Sequence, residues 1–174
     1  PVKSDDPYIA AALSYFGTDA AALAAQFSTL TSAPPLAWNS SLNASGTSYS
    51  NLMVSSDQQL HTLGGQTIAQ RITAAGYTGN WLKLGENLFA ATHTILHGHA
   101  GMVIDWGDQD GNGTAPFGNG IQSPAGHRLA LLDGEFKEIG IAFQSIAIPS
   151  SNTIATGPYV ATQHLASSYR FASG

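Results

Sequence analysis

The chain has 174 residues, with six Lys and Arg together, eleven Asp and Glu, six His and no Cys. One compact domain is the default at this length. A hydrophobic content of 43% argues against disorder, and a formal charge of -5 leaves no basic footprint for nucleic acid. No run reaches the ~18 apolar residues of a membrane span, and the lack of cysteine excludes disulfides and thiolate metal sites. Low charge with much Gly, Ser, Thr and Asn points to an extracellular or periplasmic setting. A chain that starts at Pro1 is expected to have lost any signal peptide to processing.

Asp6-Pro7 is a helix-start pair, an acid at the N-cap and proline at the first helical position. Tyr8, Ile9, Ala12, Leu13 and Phe16 then follow at helical spacing, and Gly17 interrupts. Thr18-Asp19 caps a second helix through Leu23 and Phe27, which Pro34-Pro35 ends. Asn39-Ser40 caps a third across Leu42, Tyr49, Leu52 and Met53. Thr67 to Ala75 reads as a short helix closed by Gly76. Leu84 to Leu88 is left without an assigned element. A helix is expected from about Ile95 to Trp106, then a glycine-rich loop from Gly107 to Gly120, then a short helix carrying His127 to Leu132. Two β-like runs, Glu138 to Ile148 and Tyr159 to Leu165, are separated by Pro149 to Pro158, which suits an antiparallel pair. Trp38, Trp81, Trp106 and the phenylalanines read as core, because each large aromatic buries ~150–250 Å², and Trp81, beside Gly79-Asn80, is the best candidate among them for an exposed rim aromatic.

Two patterns suggest metal chemistry from the residues alone. Asp108-Gln109-Asp110-Gly111-Asn112-Gly113 matches the first half of an EF-hand calcium loop, with oxygen ligands at positions one, three and five and glycine at six. Thr114 supplies the carbonyl of position seven. Position twelve is Asn119 rather than a bidentate Glu, so Asp133 or Glu135 would have to substitute through the fold. Ordinary Gly/Asp/Asn turn chemistry produces the same composition. The second pattern is His93, His97 and His99. His93 and His97 stand at i, i+4 spacing, but Thr94 occupies the place of the acid in an HExxH zinc motif, and exposed or capping histidines are the simpler reading.

Several short motifs occur in one order: Pro35-Leu36-Ala37-Trp38-Asn39, His61, Arg71 with Ala75-Gly76-Tyr77, Gly85-Glu86-Asn87-Leu88, Trp106, Ser123-Pro124 with Gly126-His127-Arg128, Glu138-Ile139-Gly140-Ile141 and Tyr159-Val160-Ala161-Thr162-Gln163. Together they resemble the CAP superfamily of cysteine-rich secretory, antigen 5 and pathogenesis-related proteins, and most of all its disulfide-free, SCP-like bacterial domains. The resemblance runs from about Leu23 to Leu165. It implies an α+β fold, a three-layer α-β-α sandwich with a small, mainly antiparallel central sheet. Residues 1–174 then form a single domain, with a helical extension over 1–22 and a loop insertion over 107–120. It also implies a cleft lined by two histidines and acids, here His61, Glu86 and His127. The family's other acid usually comes from the helix bearing the tryptophan. Gln109 stands three residues after Trp106 in this chain, next to Asp108, and Glu138 is named as the candidate fourth cleft acid.

Two imidazoles and a carboxylate can hold zinc or another divalent cation with an open position. Glu86 can instead fix one imidazole as a metal-free base, or the group can be a polar network without chemistry. The resemblance thus implies a secreted protein that binds a cation and a small-molecule, lipid or peptide ligand, with no nucleic-acid partner. Calcium in the loop of Asp108, Asp110, Asn112 and Thr114 would be structural. The alternatives are a metal-assisted hydrolase or peptidase, with Glu86 as the catalytic base, and a calcium-stabilised structural or adhesive module of a larger extracellular protein.

Overall fold

The computed structural model of the chain describes residues 2–78, 80–109, 115–145 and 156–169. In chain order its elements are α1 (Pro7–Phe16), α2 (Ala20–Ser28), β1 (Ala37–Trp38), α3 (Ser40–Ser56), α4 (Ile68–Ala74), β2 (Trp81–Thr92), α5 (Ile95–Ile104), α6 (Gly126–Leu131), β3 (Glu138–Ser145) and β4 (Tyr159–Ser168). They form two compact units. One comprises Pro1–Ser32 and Leu96–Leu132, the other Ala33–Ile95 and Asp133–Gly174.

The helix starts follow the capping chemistry of the sequence. Asp6 accepts from the backbone N–H of Tyr8 and Ile9, Asp19 from that of Ala22, and Asn39 from those of Ser41 and Leu42. Thr67 and Gln70 form a reciprocal capping box at α4.

The larger unit is built on a mixed sheet in the order β1-β3-β4-β2. β1 runs parallel to β3, and β3 and β2 flank β4 antiparallel. This is the small, mainly antiparallel sheet of an α+β fold. β4 is buried along nearly its whole length, as a central strand must be. It runs on to Ser168, three residues past the sequence expectation, because its small polar residues are covered on both sides. β2 is the strand that hydropathy did not reveal. Lys83, Gly85, Glu86 and Asn87 break any apolar alternation, and its register with β4 fixes them instead. The proposed end of β3 at Ile148 and most of the Pro149 to Pro158 loop lie outside the described residues. Trp38 departs from expectation. It sits on β1, a two-residue edge strand, and is 60% exposed rather than part of the core. Trp81, read as core but also as the best rim candidate, is exposed, and Trp106 is buried.

α3 lies across β3 and β4 and turns Leu42, Ser45, Gly46, Tyr49, Ser50 and Met53 inward at helical spacing. Tyr49 and Met53 pack with Leu88 and Val160, and Leu42 with Ile72, Tyr77 and Ala166. The helix backbone comes so close to the sheet that a Cβ at Gly140 would stand 2.0 Å from Asn43 N and 2.2 Å from the Leu42 carbonyl carbon.

In the smaller unit, Ile9 and Leu13 of α1 are buried, as are Met102, Trp106 and Ile121. His97 stacks on Trp106, with ring centroids 5.5 Å apart. His93 precedes α5, so it and His97 do not share a helix face. The described ends of the glycine-rich loop are tied by backbone bonds from Gly107 to Gly120 and from Asp19 to Asn119.

The close approach at Gly140 makes a direct prediction. Gly140→Ala forces α3 off β3 and should cost about 1–3 kcal/mol or more, lowering the thermal midpoint by several degrees. Gly126→Ala, where a Cβ meets nothing within 4 Å, should leave it within about a degree or raise it slightly. Circular-dichroism melts of the two variants check the pair.

Candidate functional site

Glu86 is the hub of the larger unit. Its side chain is 6% exposed, on β2 directly opposite His164 of β4. His61 Nδ1 meets Oε1 at 2.8 Å, and His164 Nε2 meets Oε2 at 2.8 Å. The Arg71 guanidinium of α4 forms an ion pair with Oε2. Arg71 also donates to the carbonyl oxygens of His61 at 3.3 Å and Gln66 at 2.7 Å, and lies 3.7 Å above the Tyr49 ring. The Tyr49 hydroxyl donates to the Leu60 carbonyl and accepts from Leu63 N. The segment bearing His61 is therefore held from both ends, although the His61 side chain itself is 61% exposed.

Burial alone would raise the Glu86 pKa. The hydrogen bonds from His164 and His61 and the charge of Arg71 outweigh it and bring the carboxyl from 4.5 down to about 2. An ionised carboxylate only accepts, so the His61 proton lies on Nδ1 and the His164 proton on Nε2. His164 is fully buried, and its Nδ1 has no partner among the described residues.

A second pair occupies the smaller unit. His127, at the start of α6, places Nδ1 2.7 Å from Asp105 Oδ1. Asp105 Oδ2 accepts from the backbone N–H of His127 at 2.9 Å and of Arg128 at 3.3 Å. Asp105 is fully buried and sits at φ +58°, just past the end of α5. Asp tolerates the left-handed region better than most residues, and these three bonds hold it there. Arg128 donates to the last carbonyls of α5, those of Val103 and Ile104, and to the Gln26 side chain.

The structure brings Glu86 to His61 and places His127 with Asp105. Asp105 is not among the residues that the sequence singled out. A helix drawn through Trp106 made it look like an interior position, and only its sequence neighbour Trp106 marked the place. Nor did the sequence give His164 a role; the cross-strand register with Glu86 assigns it. Glu138 faces Asn39 and Tyr77, at 2.8 and 2.7 Å. Of the calcium-loop residues, Asp110, Asn112 and Thr114 lie outside the described residues, and Asp108 is half-buried. Asp133 and Glu135 both pair with Lys83. Among the described residues no three His, Cys, Asp or Glu side chains are grouped as a metal site.

A small mixed sheet under a long helix, with two histidines each tied through Nδ1 to a buried carboxylate, describes an α+β protein of the SCP-like class. Residues 29–159 match the cysteine-rich secretory protein family profile, and the chain belongs to that family, CAP. Among solved structures it is similar to an extracellular SCP-domain protein from Bacillus anthracis str. Ames, at 17% identity and TM-score 0.53, covering 77% of this chain and 34% of that one. The chain thus spans about a third of that protein. It is also similar to an outer surface protein from Borrelia burgdorferi, at 14% identity and TM-score 0.54, covering 95% of this chain and 96% of that one. At these identities the likeness is one of fold. No curated protein sequence matches the chain significantly. No helix among the described residues is long and apolar enough to cross a membrane.

The lowered Glu86 pKa has a consequence for stability. Because the folded value lies below the unfolded one, its contribution, about 3 kcal/mol, is complete above about pH 5 and is lost as pH falls towards 2. Urea unfolding at pH 6 and pH 2.5 should show that loss. Removing Arg71 by Arg71→Met should narrow the pH-dependent part, because it withdraws one of the groups that lower the Glu86 pKa.

Proposed function

We propose that the chain is an extracellular CAP-family binding protein whose His61 imidazole and, within its own unit, His127 imidazole each bind a divalent transition-metal ion, zinc foremost. The observation that carries this reading is common to both histidines: Nδ1 is tied to a carboxylate. Such a partner fixes the tautomer and raises the basicity of the opposite nitrogen, and metal-binding histidines almost always have one. Glu86, with both oxygens already engaged, acts on His61 rather than on the cation. A cation held by imidazole nitrogens keeps coordination positions for water or for a ligand's oxygen atoms. The extracellular setting is supported by the described locations of the two structural neighbours. Calcium belongs to the same proposal, at the oxygen-rich run from Asp108.

A hydrolase with Glu86 as general base is not favoured. The Glu86 carboxylate already accepts from His61, His164 and Arg71, so it is committed to the protein's own donors rather than to a substrate or water.

Zinc titration followed through the imidazole ¹⁵N signals tests the reading. The Nε2 resonances of His61 and His127 should shift, and the double variant His61→Ala/His127→Ala should lose uptake. Asp105→Asn should weaken it by about 10–100-fold. Unchanged uptake in the double variant overturns the proposal. A calcium-induced rise in the melting temperature that Asp108→Ala abolishes would support the loop site.

A further inference from the structure

Glu138 opens β3 and is 9% exposed. Its Oε1 accepts from Asn39 Nδ2 and its Oε2 from the Tyr77 hydroxyl, both neutral donors. No Lys, Arg or His among the described residues pairs with it. The adjacent Lys137 donates instead to the Gly134 carbonyl. Glu is almost never buried without a counter-charge, because withdrawing an ionised carboxylate from water is costly unless a cation compensates it. Glu86, on the same sheet, has Arg71 for that purpose. Glu138 has a cavity.

The cavity has a volume of about 130 Å³, and Ser41, Tyr77, Thr78 and Ser168 line it together with Glu138. Gly76 and Thr78 on its wall are exposed, so it opens to solvent there. Its side-chain acceptors are oxygens, and it holds a single formal charge, that of Glu138. At roughly 30 Å³ per water the space corresponds to about four waters. That is small for the ~300–1,000 Å³ of an organic-ligand pocket and suited to one compact group.

We propose that this cavity binds a primary ammonium group, with Glu138 as its counter-charge. One carboxylate balances one positive charge, whereas calcium seeks six to eight oxygens, several of them carboxylate, and zinc seeks nitrogen or sulfur. An ammonium brings three N–H donors. Each Glu138 oxygen has a second acceptor site beyond the one used by Asn39 or Tyr77, and the Ser41 and Ser168 hydroxyls can accept as well. The group belongs either to a free small amine or to a lysyl side chain. This site is independent of the histidine–carboxylate pairs.

Thermal unfolding of the whole chain in ethylammonium chloride, against equal tetramethylammonium chloride, tests the proposal. The tetramethyl ion has the same charge, more bulk and no N–H. Ethylammonium should raise the melting temperature saturably, by about 3–6 °C at ten times its Kd, and tetramethylammonium should not. Glu138→Gln should abolish the rise. Ser41→Leu, which narrows the cavity and keeps the carboxylate, should abolish it too, and it decides the matter if the Gln variant does not fold. Nα-acetyl-lysine amide giving the same Glu138-dependent rise identifies the lysyl source, and a rise with ethylammonium alone identifies free amines. An equal rise with both ammonium ions, with sodium chloride, or in a folded Glu138→Gln protein overturns the proposal.

Discussion

A single buried negative charge organises the larger unit. Glu86 stands in the middle of a strand with its side chain largely buried. It is tolerable there because Arg71 supplies the balancing charge and two imidazoles supply hydrogen bonds. Each partner comes from a different part of the chain: His61 from the segment after α3, Arg71 from α4 and His164 from β4. Satisfying one carboxylate therefore fixes three segments. Arg71 extends the arrangement through the carbonyls of His61 and Gln66 and by lying over Tyr49. Removing Arg71 would leave a buried charge uncompensated, a change of about 3–5 kcal/mol, so the cluster works as a unit rather than as a sum of contacts.

Asp105 solves the same problem differently. Its charge is met by two backbone N–H groups at the start of α6 and by the His127 ring, and among the described residues no guanidinium forms an ion pair with it. Arg128 is turned to the end of α5, where its positive charge suits the carbonyl end of a helix. Both hubs nevertheless hold their histidine in the same way, through Nδ1.

Local chemistry was legible in the sequence and long-range chemistry was not. Asp6, Asp19, Asn39 and Thr67 each cap a helix through atoms two or three residues away, so their signal is complete within a short window. The ordered CAP motifs also pointed to His61, Glu86 and His127. β2 carried no signal because its polar residues answer to β4 and to α4, not to a solvent face. Asp105 was hidden for a related reason: its backbone conformation and its charge are both set by residues 127 and 128. His164 had meaning only through register. Trp38 looked like core because size alone suggests burial, whereas a two-residue edge strand leaves it in solvent.

This CAP-family chain has no cysteine with which to staple distant segments. Its cross-links are hydrogen-bonded carboxylates: Glu86 to residues 61, 71 and 164, Asp105 to residue 127, and Asp57 to the backbone and hydroxyl of Thr156 at 3.0 and 2.9 Å. A disulfide stabilises chiefly by restricting the unfolded chain and is indifferent to acid. A carboxylate hub stabilises only the folded state and only while ionised. Such a fold is insensitive to reductants and sensitive to protons. The same reasoning separates the buried acids by purpose. Glu86 and Asp105 each accept from three of the protein's own donors and act as staples, while Glu138 accepts only two neutral donors beside an open cavity. A buried charge left partly unanswered contributes little to stability, and among the described residues no Lys, Arg or His answers it.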